Sequence, residues 1–185
     1  VGGTSQLRYA NIFLRAQLPE LKVPVAVVAD IDVPAWERAP DIGADGKPVK
    51  HGNAFVYKFN KLAPVAVAAD AKARFLDLST KYDQQSVKVF VAPEWTLEYS
   101  LFNSAVFKPA IESALKAAHP QMNAADLEKE LAAKLLNDGL DKTEIAHHLA
   151  KELEADLARI APKYLPQLND SAGYLASAIK YACRE

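Results

Sequence analysis

Residues 24–32 read Pro-Val-Ala-Val-Val-Ala-Asp-Ile-Asp, an apolar run that ends in two acids. A continuous apolar run of this length predicts a buried central strand of a parallel sheet. Because side chains alternate along a strand, Asp30 and Asp32 are predicted to point to the same side, with Cα atoms about 6.5 Å apart. Ligands bind outside the carboxyl ends of strands in open parallel sheets. The run therefore predicts a ligand site at these carboxylates, which favour a hard divalent metal.

A structural role for the two aspartates stands beside the metal hypothesis. An aspartate after a buried strand often caps the next helix or starts a turn. Two acids spaced to share one face of a strand strengthen the metal hypothesis. Both interpretations stay open from this stretch alone.

A third acid is predicted at the same edge of the sheet. Residues 87–92, Val-Lys-Val-Phe-Val-Ala, form a second predicted strand. Thr96 follows as a candidate helix cap, and Glu98 falls in the first helical turn. A helix N-terminus stabilises a carboxylate, so stability alone could explain Glu98. Because its turn also follows a strand, we expect Glu98 to share a crevice with Asp30.

Composition limits the classes of protein and partner. The 185 residues suffice for one domain with a sizeable core, and 22 basic against 23 acidic residues leave a net charge of −1. This balance gives no overall electrostatic footprint for nucleic acid, so DNA would be held by a local patch or through metal. Cys183 is the single cysteine, which excludes an internal disulfide and fits a cytoplasmic protein. No apolar run reaches membrane-span length, so no membrane partner is expected.

The remaining segments complete an α/β prediction. Helices are expected over residues 4–17 and 69–82. Residues 33–62, rich in Pro and Gly, are predicted to be an insertion over the sheet's carboxyl edge with one strand-like run at 54–59. Long excursions at such an edge are often lids or specificity loops. The α/β core, with its insertion, is assigned to residues 1–108.

Residues 109–185 are predicted to form a helical part. The pattern indicates helices over 97–118, with a bend at Pro109, and over 124–136, 141–160 and 171–183. Asp141 is the expected cap of the third of these helices. Lys142 then lies in its first turn, where a positive charge opposes the helix dipole at a cost of up to about 1 kcal/mol unless a negative group faces it. This placement hints that Lys142 returns to the acidic site.

The combined motifs resemble the C-terminal Toprim nuclease region of the OLD-family ATP-dependent endonucleases. The matching residues are Val1-Gly2-Gly3 before Leu7-Arg8-Tyr9-Ala10, Val27-Val28-Ala29-Asp30-Ile31-Asp32, Trp95-Thr96-Leu97-Glu98-Tyr99, and Lys142 at the start of a helix. The resemblance implies a Toprim-like, Rossmann-like and mostly parallel sheet flanked by helices. It also implies a metal-dependent DNA endonuclease or nickase of the two-metal type.

The resemblance assigns roles to individual residues. Asp30 and Asp32 match metal ligands, Glu98 matches a ligand of the second metal, and Lys142 matches the lysine that approaches the scissile phosphate. Thr96, Gly2 and Gly3 would lie near the site. The implied cofactor is Mg²⁺ or Mn²⁺, with Ca²⁺ as a non-productive substitute. DNA is the implied substrate, and the arrangement allows a homodimer.

The resemblance also predicts that this chain is part of a longer protein. An ATPase domain would belong to the same full-length chain. The family's first strand and first acidic motif would lie upstream of Val1, where the chain starts without Met. Since those acids would bind one of two metals, the fragment alone is expected to be inactive.

Two alternatives from other classes remain. An apolar strand followed by Asp-x-Asp also resembles the first motif of haloacid-dehalogenase-type phosphatases, in which Asp30 would be the nucleophile and Asp32 a general acid. Those enzymes need a late acidic pair near a lysine, and this sequence offers only Lys142. The other alternative is a non-enzymatic binding or dimerisation module in which the acids are helix caps.

Overall fold

The structure is a computed structural model that describes residues 6–14, 19–154 and 168–183. Its helices are α1 (Gln6–Phe13), α2 (Pro64–Tyr82), α3 (Leu97–Asn103), α4 (Lys108–Ala118), α5 (Leu127–Leu136), α6 (Lys142–Glu154) and α7 (Gly173–Ala182), with a 3-10 turn at Ala124–Asp126. Its strands are β1 (Val25–Ala29), β2 (Trp36–Pro40), β3 (Lys50–His51), β4 (Ala54–Phe55), β5 (Tyr57–Lys61) and β6 (Val87–Val91). The protein is therefore α/β.

Strands β1 and β6 form a parallel pair, in register from Val25 opposite Val87 to Ala29 opposite Val91. Both predicted strands are thus confirmed, and their carboxyl ends meet at one edge. Among the residues described, β1 pairs with β6 alone, so the predicted central position of β1 is not seen there. Helix α7 packs on both strands, α2 on β6 and α1 on β1. The strands' buried valines join Ala10 and Leu78 in a sheet core.

The insertion at 33–62 is a β-ribbon rather than a loop with one strand. Strand β2 pairs antiparallel with β5, and the short β3 and β4 pair beyond them across a turn in which Gly52 has a φ of 61°. The sequence prediction missed β2 because Trp36-Glu-Arg-Ala-Pro40 carries two charges and a proline. Only Trp36 of this strand is buried, so no apolar alternation marks it.

The predicted helix over 97–118 is wrong: it is two helices, α3 and α4, separated at residues 104–107. Asp170 holds this break, since its Oδ2 accepts hydrogen bonds from Ser104 Oγ and from the backbone N–H of Ala105, both at 2.9 Å. Pro109 lies in the first turn of α4. A missing N–H costs nothing there, so Pro109 starts a helix instead of bending one.

Other helix boundaries shift by smaller amounts. Helix α2 begins at Pro64, five residues before the predicted start, and α7 spans Gly173–Ala182 instead of 171–183. The Asp141 cap is confirmed, because its Oδ1 accepts from the backbone N–H of Glu144 at 2.9 Å. The predicted ends at residues 4, 17 and 160 lie outside the described ranges.

A second core joins the helices. Its largest fully buried side chains are those of Tyr99, Ile111, Leu115, Leu131 and Ile145. Trp36 of the insertion and Ala176 of α7 belong to the same cluster. Helix α6 packs on α4 through this core, which fixes the direction in which its first turn faces. No helix in the described part of the chain is long and apolar enough to span a membrane.

Candidate functional site

Asp30 connects the end of β1 to the start of α3. Its Oδ1 accepts a hydrogen bond from the backbone N–H of Leu97 at 2.8 Å. Two backbone hydrogen bonds reinforce the connection, from Ala92 N–H to Ala29 O at 2.8 Å and from Asp32 N–H to Trp95 O at 2.9 Å. Asp30 therefore caps a helix N-terminus, but that of α3 rather than that of the next helix along the chain. This contact also places the Asp30 carboxylate beside the residue that follows Leu97.

That residue is Glu98, in the first turn of α3. Thr96 caps the helix, as predicted, with its Oγ1 accepting from the backbone N–H of Tyr99 at 3.3 Å. The Glu98 side chain is 14% exposed, and its Oε2 is buried with no hydrogen bond. Lys142 Nζ lies 3.3 Å from this oxygen and forms an ion pair with it, but without the alignment of a hydrogen bond. The charge of Lys142 thus balances that of this buried carboxylate oxygen, but the oxygen accepts no hydrogen bond.

The pKa of Asp30 is shifted by burial and by the charges around it. Burial raises its pKa above the ordinary value, and the nearby charge of Glu98 raises this pKa further. The hydrogen bond from Leu97 and the charge of Lys142 lower it in part, while Asp32 adds a smaller upward effect. Glu98 is consequently close enough to Asp30 to oppose the ionisation of Asp30. We call Asp30, Glu98, Lys142 and the space between them the acid-pair site.

Lys142 reaches the site from a different part of the chain. It begins α6 directly after the Asp141 cap, and the backbone N–H of Asp141 donates to His119 Nε2 at 3.1 Å. Its ammonium group lies at a helix N-terminus, which disfavours positive charge. The Glu98 carboxylate supplies the negative group that this position requires. The Lys142 side chain is 47% exposed, so it can also turn toward solvent or a ligand.

Asp32 is placed differently from Asp30. Strand β1 ends at Ala29, so the alternation that predicted a shared face does not extend to the two acids. Asp32 is exposed, has a φ of 57°, and lies 3.4 Å from Arg74 Nη2 of α2. It contributes to the site through its charge on Asp30 rather than through a contact with Glu98.

Tyr174 is a member of the site that sequence reasoning missed. Its hydroxyl, in the first turn of α7, is buried and has no hydrogen-bond partner. Burial raises its pKa strongly, and the charges of Asp30 and Glu98 raise this pKa further, so the hydroxyl lies within electrostatic range of both acids. The surrounding sequence, Gly-Tyr-Leu-Ala-Ser-Ala-Ile, is that of a core helix and carries no signal of this role.

The metal ligands predicted from the sequence do not form a closed site. Among the described residues, no group of three or more His, Cys, Asp or Glu side chains could hold a metal ion. Gly2 and Gly3, which were predicted to lie near the site, are outside the described residues. Within the predicted ligand set, Asp30 interacts electrostatically with Glu98 and, more weakly, with Asp32.

A cavity of about 220 Å³ is lined by residues of the insertion, of α2 and of 93–95, together with Ile31 and Tyr99, which follow Asp30 and Glu98 in the sequence. It is lined mainly by apolar side chains, including Ile31, Val33, Trp95 and Leu62, with Lys61 and Glu94 as its charged members. Ile31, which lies between Asp30 and Asp32 just after β1, thus shares this cavity with Lys61 and Leu62 of the insertion.

Comparison with known proteins yields no protein-family model, no curated protein and no solved structure that matches the chain. The resemblance to OLD-family nucleases thus depends on the motifs quoted above.

Proposed function

We propose that this chain is the metal-dependent nuclease domain of an OLD-type ATP-dependent endonuclease, with a Toprim-like core, and that its substrate is the phosphodiester backbone of DNA. One observation carries the proposal. Asp30, Glu98 and Lys142, which lie 68 and 44 residues apart along the chain, meet at the carboxyl ends of a parallel strand pair. Ligand sites of open α/β sheets occur at this position.

The acid pair fits a hard divalent cation. Two carboxylates that raise each other's energy are stabilised by positive charge, and the Glu98 Oε2 atom is buried without a hydrogen bond. Mg²⁺ usually takes only one or two protein carboxylates and completes its coordination with water and phosphate oxygens. Asp30 and Glu98 would therefore bind the ion directly, and Asp32 would add negative charge nearby without binding the ion. Such an ion, when bound, activates a water molecule and neutralises charge on the phosphate.

Lys142 would act on the phosphate. Its ammonium is held near the acid pair by Glu98 and is half exposed, so it can approach an anionic group that enters the site. A positive charge placed beforehand where negative charge develops stabilises a transition state. Thr96 would support Glu98 by capping the helix turn that carries it.

Calorimetric titration with Mn²⁺ tests the proposal. We expect the unmodified chain to bind Mn²⁺ and Glu98→Gln to weaken binding by more than about tenfold, because even residues that only support metal ligands have effects of that size. Glu94→Gln is the matched control, since Glu94 is an exposed carboxylate in the connection just before α3 that accepts from Asn103 Nδ2 at 2.6 Å. Equal affinities for the unmodified chain and Glu98→Gln would refute the metal site.

A plasmid-nicking assay with Mg²⁺ or Mn²⁺ addresses the chemistry separately. Lys142→Met is expected to keep Mn²⁺ affinity while abolishing any nicking that the unmodified chain shows. Loss of Mn²⁺ binding in this variant would instead assign Lys142 a structural role.

A further inference from the structure

The hydroxyl of Tyr174 and the Oε2 of Glu98 are both buried without hydrogen bonds. Buried polar atoms in native proteins are nearly always paired, and an unpaired one lowers stability. Here one atom is a hydrogen-bond donor and the other an acceptor. Glu98 lies in α3, and Tyr174 lies in the first turn of α7, which packs on β1 and is joined to α3 just before its own start by the hydrogen bond from Ser171 Oγ to Ser100 O at 2.7 Å. Their coincidence indicates that the site is built to receive a group that is not part of the chain.

The chemistry of the Asp30, Glu98 and Tyr174 side chains limits the kind of group that could bind there. Asp30 and Glu98 can bind only a cation or a hydrogen-bond donor, whereas a neutral phenol offers a proton to an acceptor. A tyrosine phenol is protonated at neutral pH, so the Tyr174 hydroxyl is a donor. A divalent cation that carries a phosphate group satisfies both requirements, because the cation faces the acids and a phosphate oxygen accepts from the phenol.

We propose that Tyr174 is a phosphate-binding residue, whose hydroxyl donates a hydrogen bond to a phosphate oxygen brought to Asp30 and Glu98 by a divalent cation. The inference rests on the proposed function and adds a residue to it. Since two carboxylates repel a phosphate, Tyr174 binds this group only when the cation is present.

The test uses thymidine 5′-monophosphate as the probe, titrated calorimetrically into protein with saturating Mn²⁺. We expect Tyr174→Phe to weaken nucleotide binding by about tenfold, the effect of one hydrogen bond to a charged acceptor. Its affinity for Mn²⁺ alone should stay unchanged. Tyr181→Phe is the matched control, because Tyr181 lies on the same helix and its ring packs against Phe90. This variant should bind nucleotide like the unmodified chain.

Thermal unfolding without metal provides a second readout. Removing an unpaired buried hydroxyl should leave the melting temperature of Tyr174→Phe equal to or above that of the unmodified chain. A clear decrease would show that the hydroxyl has a structural partner and would overturn the inference.

The two proposals fail in different ways. If Mn²⁺ binding depends on Glu98 but Tyr174→Phe binds the nucleotide normally, the role of Tyr174 is refuted and the metal site stands. If the unmodified chain binds no Mn²⁺, the metal site is refuted, and the role of Tyr174 with it.

Discussion

Two clusters in this protein combine a lysine, a glutamate and a tyrosine, yet they differ in how well their polar atoms are paired. In the first, which we call the Glu128 cluster, Glu128 Oε1 accepts from Lys61 Nζ at 2.7 Å and from the Tyr99 hydroxyl at 2.8 Å. The Tyr99 hydroxyl in turn accepts from Trp36 Nε1 at 3.0 Å. In the acid-pair site, neither Glu98 Oε2 nor the Tyr174 hydroxyl has a hydrogen bond.

The pKa values of Glu128 and Asp30 are shifted in opposite directions. Burial alone would raise the pKa of Glu128, but hydrogen bonds from Lys61 and Tyr99 outweigh it and lower this pKa. Burial raises the pKa of Asp30, and Glu98 adds to the increase. The Glu128 cluster therefore stabilises the fold by connecting the insertion to α5 and α3. The acid-pair site carries unfavourable contacts, which natural proteins concentrate at functional sites.

The largest expected effect is that of Tyr99→Phe. This change leaves the buried Trp36 Nε1 without an acceptor and removes a hydrogen bond to Glu128, so we expect the free energy of unfolding to fall by about 1–3 kcal/mol. Urea denaturation measures this change in the free energy of unfolding. The same change at Tyr174, in metal-free protein, removes an unpaired hydroxyl and should cost nothing. Equal losses at both positions would contradict the distinction between the clusters.

Local patterns predicted the parts of the site that depend on neighbours in sequence. The caps at Thr96 and Asp141 each bond to a backbone N–H three residues ahead, and both were predicted from residue type. The strand pair was predicted from two apolar runs. The need for a negative charge beside Lys142 followed from the helix dipole, and Glu98 meets it.

Contacts between distant residues could not be predicted from these patterns. The break between α3 and α4 is held by Asp170, which lies 66 residues from Ser104. Strand β2 is defined by pairing with β5 across an exposed ribbon, and its own sequence is not typical of a strand. Tyr174 belongs to the site only because α7 packs on β1 and β6. Each of these features depends on tertiary packing that overrides local preference.

A smaller effect is expected from neutralising one acid in each cluster. Because the Asp30 pKa is raised in the folded protein, its ionised form destabilises the fold at neutral pH, and this cost disappears as pH falls toward the ordinary value of 3.8. Asparagine retains the acceptor for the Leu97 N–H. Asp30→Asn should therefore be more stable than the unmodified chain at neutral pH, with the difference vanishing in acid.

Glu128→Gln is the matched variant and should behave in the opposite way. The lowered pKa of Glu128 gives stability that is present above the ordinary value of 4.5 and is lost as pH falls below it. This variant should be less stable at neutral pH and approach the unmodified chain in acid. Denaturation curves at neutral pH and about pH 4 measure both. A stability loss in Asp30→Asn at neutral pH would mean that the charged hydrogen bond to Leu97 outweighs the repulsion.

The smallest expected effect concerns His119, which ends α4 and accepts at Nε2 from the backbone N–H beside Lys142. Burial lowers its pKa below 6.5, and the charge of Lys134 lowers it further, against the opposing charges of Asp141 and Glu144. The unfolded chain therefore gains a proton first as pH falls below 6.5, so stability present above that pH is gradually lost. His119→Gln keeps an acceptor that does not titrate and should flatten this dependence, which denaturation curves across this pH range measure. An unchanged slope in His119→Gln would show that the start of α6, and with it the position of Lys142, does not depend on the charge of His119.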